Sequence, residues 1–251
     1  MANQFIWHEL STSDLADARV FYTDLVGWTA AGYGGDETYL QLSAGDRGVG
    51  GMMAMPADAA AAGSPLRWSG YVRAADVDDM ATGFKRDGGN VYMPPMDIPG
   101  VGRFAIVADP QGAILHLMTP LPREPQAPVP IGTPGHFGWN ELHCTDWESA
   151  FAFYAARFGW EKGDAMDMGP MGTYQIFTID GERAGGMMNS PLPRPMWLSY
   201  INVADIDAAH AKILASGGNV MHGPAEIPGG FIVQATDRQG VMFAITGPRT
   251  A

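Results

Sequence analysis

The sequence predicts an α+β protein: a tandem of two homologous domains, each a curled mixed sheet with helices on its outer side. Three observations predict it. The stretch Phe5–Trp28, FIWHELSTSDLADARVFYTDLVGW, is restated by Phe137–Trp160, FGWNELHCTDWESAFAFYAARFGW. Within each half the order strand, helix, three strands runs twice, so each domain comprises two βαβββ modules. Between the halves lies a proline-rich stretch without hydrophobic periodicity. The division that follows is domain one at 1–121, a linker at 122–134 and domain two at 135–251.

The elements of the first half read as follows. Phe5–Thr12 alternates as a strand does. Asp14 is placed to cap a helix whose apolar residues Leu15, Ala18, Phe21, Tyr22 and Leu25 recur at three and four, and Gly27 ends it. Strands are expected over Trp28–Ala31, Glu37–Ser43 and Gly48–Met55, then a soft segment Pro56–Pro65. The order restarts with a strand at Leu66–Arg73, a helix at Val77–Arg86 stopped by Gly88-Gly89, and strands near Asn90–Met93, Gly102–Ala108 and Ala113–Met118. Asp109-Pro110-Gln111-Gly112 makes the last turn.

The second half repeats this pattern with strands at Tyr174–Thr178, Ala184–Asn189, Trp197–Val203, Phe231–Ala235 and Val241–Thr246, and a helix at Ile206–Ala215. Matched landmarks include Gly50-Gly51-Met52-Met53 with Gly185-Gly186-Met187-Met188, Trp68 with Trp197, and Asp109 with Asp237.

Composition narrows the function. With 15 Lys and Arg against 27 Asp and Glu, the net charge is −12, and no basic cluster offers a phosphate-binding surface, so nucleic acid is not an expected partner. No apolar run approaches the roughly 20 residues that span a bilayer. One cysteine, Cys144, excludes an internal disulfide framework. With no leader ahead of Phe5, the expected location is cytoplasmic and no membrane partner is expected. Nucleotide-binding Gly-rich loops, paired-Cys metal knuckles and nucleophile elbows are absent as sequence motifs.

Alternation along the first strand sorts its side chains. Leu10 and Leu142 back onto the helices, so Trp7 and Glu9, with Trp139, Glu141 and His143 in the second copy, share the opposite, concave face. A carboxylate buried there must be hydrogen-bonded or paired. Either Glu9 and Glu141 tie the sheet to the linker or partner domain through backbone N–H groups, or they serve a ligand or a proton transfer. His116, between Leu115 and Leu117, faces the same cleft and reads equally as a cavity base or a structural histidine. His8 alternates with Glu9 and points to the helix layer or rim. Tyr39 and Tyr174 occupy matching strands, either packing or offering hydroxyls to a ligand. Cys144 lies on the Leu142 side and reads as a buried, inert thiol.

With these residues in place, the chain resembles the vicinal oxygen chelate superfamily of glyoxalase, bleomycin-resistance and extradiol dioxygenase proteins. The resemblance rests on Asp14…Phe21-Tyr22…Leu25-Val26-Gly27-Trp28, on Asp146…Phe153-Tyr154…Phe158-Gly159-Trp160, and on the turns Asp109-Pro110-Gln111-Gly112 and Asp237-Arg238-Gln239-Gly240. Trp139-Asn140-Glu141-Leu142 and Gly102-Arg103-Phe104-Ala105 make it most similar to a tandem two-domain subgroup typified by a mycobacterial culture-filtrate antigen. The likeness covers nearly the whole chain, and its motifs are specific for fold and not for activity.

The resemblance implies a divalent metal held by His and Glu inside the sheet in the enzymes of the superfamily. Carried over, its ligand positions fall on Trp7, near Ser69 and on His116 in domain one, and on Trp139, Leu198 and Ala244 in domain two. Only His116 can bind a metal, and a site needs three or four such ligands. The leading expectation is therefore a glyoxalase-like protein with degenerate metal sites and no cofactor. It would bind a small molecule without turnover in a Trp/Tyr/Met-lined cleft formed by Trp7, Glu9, Tyr39, His116, Trp139, Glu141, His143 and Tyr174. The alternative is a metal-dependent lyase or isomerase acting on an oxygenated small molecule, with a divalent metal near His116 and with His116 and Glu9 as catalytic candidates. The resemblance also implies intramolecular pairing of the two domains.

Overall fold

The computed structural model describes residues 3–122, 124 and 127–250. Of the expected linker, residues 123, 125 and 126 lie outside the described residues. The first repeat runs β1 (Phe5–Thr12), α1 (Leu15–Val26), β2 (Thr29–Tyr33), β3 (Asp36–Ala44), β4 (Arg47–Ala54), α2 (Ala57–Ala61), β5 (Arg67–Arg73), α3 (Val77–Arg86), β6 (Asn90–Ile98), β7 (Gly102–Ala108) and β8 (Ile114–Pro120). The second runs β9 (Phe137–Cys144), α4 (Trp147–Phe158), β10 (Glu161–Asp167), a 3-10 turn (Gly169–Met171), β11 (Thr173–Ile179), β12 (Glu182–Asn189), β13 (Met196–Asn202), α5 (Ile206–Ala215), β14 (Asn219–Ile227), β15 (Gly230–Thr236) and β16 (Met242–Gly247).

Each repeat gives an eight-stranded mixed sheet flanked by helices, in the orders β2-β3-β4-β1-β5-β8-β7-β6 and β10-β11-β12-β9-β13-β16-β15-β14. The pairings β1 with β4 and β5 with β8 are parallel, whereas β2–β3–β4 and β6–β7–β8 run antiparallel. A helix connects each module's first strand to the rest, as a parallel pairing requires.

The four main helices start on an aspartate. Asp14, Asp76, Asp146 and Asp205 each accept backbone N–H bonds of the first turn, satisfying donors that a helix leaves unpaired. α1 and α4 end on Gly27 and Gly159, at φ 80 and 67, the left-handed conformation that glycine adopts without a Cβ penalty.

Several boundaries differ from the sequence reading. The segment Pro56–Pro65 contains the short helix α2, and β8 runs on to Pro120, past the expected end at Met118. β6 continues through Pro94 and Pro95 to Ile98, which is tolerated because it is an edge strand with no further ladder to serve. β10, also an edge strand, is largely exposed and lacks an apolar pattern, so alternation did not signal it.

By its contacts the chain divides into two compact units that cut across the repeats. One takes its strands and helices mainly from β5–β8 with α3 and β9–β12 with α4, and the other mainly from β1–β4 with α1 and β13–β16 with α5. In the first unit Val72, Phe84, Leu115 and Leu117 share one core with Leu142, Tyr154, Phe158, Trp160, Phe177 and Trp197. In the second, Leu10, Phe21, Tyr22, Trp28, Leu42 and Met52 share a core with Ile201, Ile213, Val233, Phe243 and Ile245. Each core thus draws on both repeats. Among the described residues no helix is long and apolar enough to cross a membrane.

Candidate binding site

The pleat of β1 puts Leu10 into the core, fully buried, and turns Trp7 and Glu9 to the other face. β4 runs parallel to β1 with Gly51 level with Glu9, and β3 brings Tyr39 opposite Met53. The Tyr39 ring lies over Gly51, where a methyl group would overlap the phenol oxygen. That oxygen accepts a hydrogen bond from Trp7 Nε1 at 3.1 Å and is hydrogen-bonded to Glu9. Burial pushes the Tyr39 phenol well above its usual range, and the Glu9 charge adds to the shift.

The same arrangement recurs in the other unit with shorter bonds. Trp139 Nε1 donates to Tyr174 Oη at 2.7 Å, and Tyr174 Oη donates to Glu141 Oε2 at 2.9 Å. Gly186 lies under the Tyr174 ring as Gly51 lies under Tyr39. Gly50 and Gly185 serve a second purpose: a Cβ on either would strike the backbone carbonyl of His8 or Asn140 on the neighbouring strand.

Glu141 Oε2 is thus bonded within its own sheet. Both carboxylate oxygens have side chains of that sheet beside them. The second of these is His143, two residues along β9 and so on the same face. Its Nε2 stands 2.7 Å from Glu141 Oε1, to one side of the N–H axis, and its Nδ1 lies 3.0 Å from Ser190 Oγ. Ser190 carries no signal in the sequence. It follows β12, whose parallel pairing sets Met188 level with His143, and only that register brings the hydroxyl to the ring.

His116 lies on β8 level with Tyr71 of β5 and meets its ring edge-on, with centroids 4.5 Å apart, and is buried. His8 takes the opposite face of β1 from Trp7 and Glu9 and stacks on Phe137 at 3.8 Å. Cys144 is buried, donates to the Met188 carbonyl at 3.3 Å, and burial pushes its thiol up to about 12.

Two further polar clusters escaped the sequence reading. Tyr154 donates to Asp109 and Tyr22 to Asp237, both at 3.1 Å, while each aspartate also accepts two backbone N–H bonds of its own turn. Burial raises both carboxyls above their usual range, against those hydrogen bonds, which lower them. Gln111 and Gln239, at the third position of the two turns, clasp residues 145–146 and 13–14 through backbone and hydroxyl groups. The repeated Asp-x-Gln-Gly pattern was the available clue.

Of the positions inferred above, His116 alone carries a side chain suited to a divalent metal. Indole N–H is a donor without an acceptor lone pair, and in both repeats it is already directed at a tyrosine. Leucine and alanine offer no lone pair. Among the described residues no three His, Cys, Asp or Glu side chains gather as a metal site would require.

The family profile described as Glyoxalase/Bleomycin resistance protein/Dioxygenase superfamily matches residues 4–117 and 134–245. The chain is 33% identical over 256 residues to "Putative glyoxylase CFP32" of Mycobacterium tuberculosis (strain CDC 1551 / Oshkosh), spanning 96% of this chain and 94% of that protein. It is 31% identical over 263 residues to the anthracycline biosynthesis protein DauV of Streptomyces sp. (strain C5), spanning 98% and 93%. Among solved structures it is similar to the Mn(II)-bound glyoxalase from Novosphingobium aromaticivorans, with a TM-score of 0.68 at 14% identity over 99% of this chain and 83% of that one. A variant of homoprotocatechuate 2,3-dioxygenase from B. fuscum gives a TM-score of 0.70 at 16% identity, over 99% and 73%. At these identities the structural likeness is one of fold.

Proposed function

The chain belongs to the glyoxalase/bleomycin resistance protein/dioxygenase superfamily, and we propose that within it the protein binds a small oxygen-bearing molecule without metal-assisted turnover. The observation that carries this reading is the duplicated Trp–Tyr–Glu arrangement. Trp7 and Trp139 occupy the positions where the superfamily's enzymes hold their first metal ligand, and in both repeats the indole is committed to a tyrosine that is bonded to a glutamate.

Such a face suits an aromatic, hydroxylated ligand. The indole and phenol rings supply stacking area, and the anchored carboxylates of Glu9 and Glu141 accept ligand hydroxyls. The relationship to a protein of anthracycline biosynthesis supports the same ligand chemistry. The sequence domains 1–121 and 135–251, joined by 122–134, are proposed as the duplicated units. Their intramolecular pairing is supported by cores that each draw on both repeats.

The test is a tryptophan-fluorescence titration with hydroxylated aromatics, from catechol to hydroxyanthraquinones, in excess EDTA. Saturable quenching is expected, with Tyr174→Phe or Trp139→Phe weakening affinity by about tenfold, or roughly 1.4 kcal/mol. If no such ligand binds in EDTA and added Mn(II) confers isomerisation of a hemithioacetal, the protein is the metal-dependent lyase instead.

A further inference from the structure

The two Trp–Tyr–Glu arrangements are alike, but only the second is extended. Where the second repeat has His143 and Ser190, the first has Ser11 and, two residues beyond Met53, Met55. The first repeat shows that the tryptophan, tyrosine and glutamate need neither an imidazole nor a serine to pack. The added pair therefore calls for a separate account.

Donor bookkeeping gives the pair a direction. Tyr174 Oη, accepting from Trp139 at 2.7 Å, donates to Glu141 Oε2 at 2.9 Å and fixes the carboxylate in place. Glu141 Oε1 stands 2.7 Å from His143 Nε2. Oε1 lies off the N–H axis, so its pull is one of charge: the negative oxygen draws the single proton of the neutral imidazole to Nε2, leaving Nδ1 with a lone pair. Ser190 Oγ, 3.0 Å from Nδ1, is then the donor to it. The Leu192 N–H in turn donates to Ser190 Oγ at 3.3 Å and favours negative charge on that oxygen. His143 and Glu141 are 6% exposed, while Ser190 is half-buried, so the serine is the most exposed residue of the three.

A hydroxyl, a base within hydrogen-bond reach of it, and a third group that orients the base and stabilises its cation are the parts of an activated nucleophile. We propose that Ser190, His143 and Glu141 form an acyl-accepting centre for activated carboxylic esters, an activity beyond ligand binding that shares Glu141 with the proposed ligand face. Ser190 Oγ attacks the ester carbonyl as its proton passes to His143 Nδ1. The bond from the carbonyl carbon to the leaving oxygen then breaks, and the leaving group takes the proton from His143. A water molecule, deprotonated by the same nitrogen, attacks the acyl carbon; the bond to Ser190 Oγ breaks, His143 returns its proton to that oxygen, and the carboxylic acid leaves. Glu141 is a positioning residue: it touches His143 and not the ester.

The test treats the full chain with p-nitrophenyl acetate, follows p-nitrophenol release, and maps acetyl groups by peptide mass spectrometry. One acetyl group on Ser190 is expected. Ser190→Ala should abolish it, and His143→Asn should slow it by about a hundredfold or more with the circular dichroism spectrum unchanged. Glu141→Gln should slow it too, and a fluorophosphonate probe should label the same serine. If Glu141→Gln fails to fold, the Ser190 and His143 variants decide alone. Acetylation confined to lysines or the N-terminus, or acetylation of Ser190 at an equal rate in His143→Asn, overturns the proposal.

Discussion

Gly186→Ala tests whether the tyrosine of the Trp–Tyr–Glu arrangement depends on the bare backbone beneath it. A Cβ at this position would overlap Cζ, Cε1 and Oη of Tyr174, a residue that is 7% exposed and has little room to retreat. Moving the ring out to ordinary contact is an overpacking change of about 1–3 kcal/mol. The same movement pulls Oη away from Glu141, 2.9 Å distant, and losing a hydrogen bond to a charged, buried partner adds about 1.5–3 kcal/mol. The substitution should therefore cost about 2.5–6 kcal/mol in urea-denaturation stability. Tyr174→Phe, which removes only the hydroxyl, should cost the hydrogen-bond part alone, about 1.5–3 kcal/mol. In a Tyr174→Val background the methyl group has no ring to strike, so Gly186→Ala should become nearly neutral, giving a coupling of at least about 2 kcal/mol. Gly51→Ala, beneath Tyr39, should behave alike. A cost below about 0.5 kcal/mol, or the same cost with and without the ring, would refute the reasoning.

Other predictions concern the buried ionisable groups. Burial raises the Asp109 carboxyl, so the folded chain keeps a proton that the unfolded chain has released. Its contribution to stability is therefore full below the unfolded value of 3.8 and falls as pH rises through the folded value. Asp109→Asn, which keeps an acceptor for the Gln111 and Ala113 amides, should gain on wild type as pH rises from about 4 to 7, and stability curves that stay parallel would contradict this. Cys144, with its thiol pushed up to about 12, should resist Ellman's reagent at pH 8 until the protein unfolds, and rapid reaction of the native protein would count against its burial.

Much of the fold was legible because local signals were strong and repeated. The caps at Asp14 and Asp146, the stops at Gly27 and Gly159, and the alternation that buries Leu10 and Leu142 all follow from short stretches of sequence. The face carrying Trp139, Glu141 and His143 was legible for the same reason. Tyr174 was legible as a cleft residue, but its bond to Glu141 was not, nor was Ser190. Tyr174 and Ser190 reach Glu141 and His143 through the register of β11, β12 and β9, and pairing between strands leaves no mark on a single strand. Hydrophobic periodicity likewise says that the inner faces of α3 and α4 are covered, but not that they share one core, where Phe84 packs on Phe153 at 4.9 Å. β10 escaped notice because an exposed edge strand has no apolar period to detect.

The claim on which the account rests is that the duplicated Trp–Tyr–Glu faces bind without a metal. The direct measurement is elemental analysis of protein incubated with Mn(II), Zn(II) and Fe(II) and then dialysed, joined to ligand titrations of the same samples and of His116→Ala. The account predicts sub-stoichiometric metal and an affinity for hydroxylated aromatics that is the same in EDTA and after loading. One retained equivalent of metal per chain, lost in His116→Ala along with ligand binding, would contradict it.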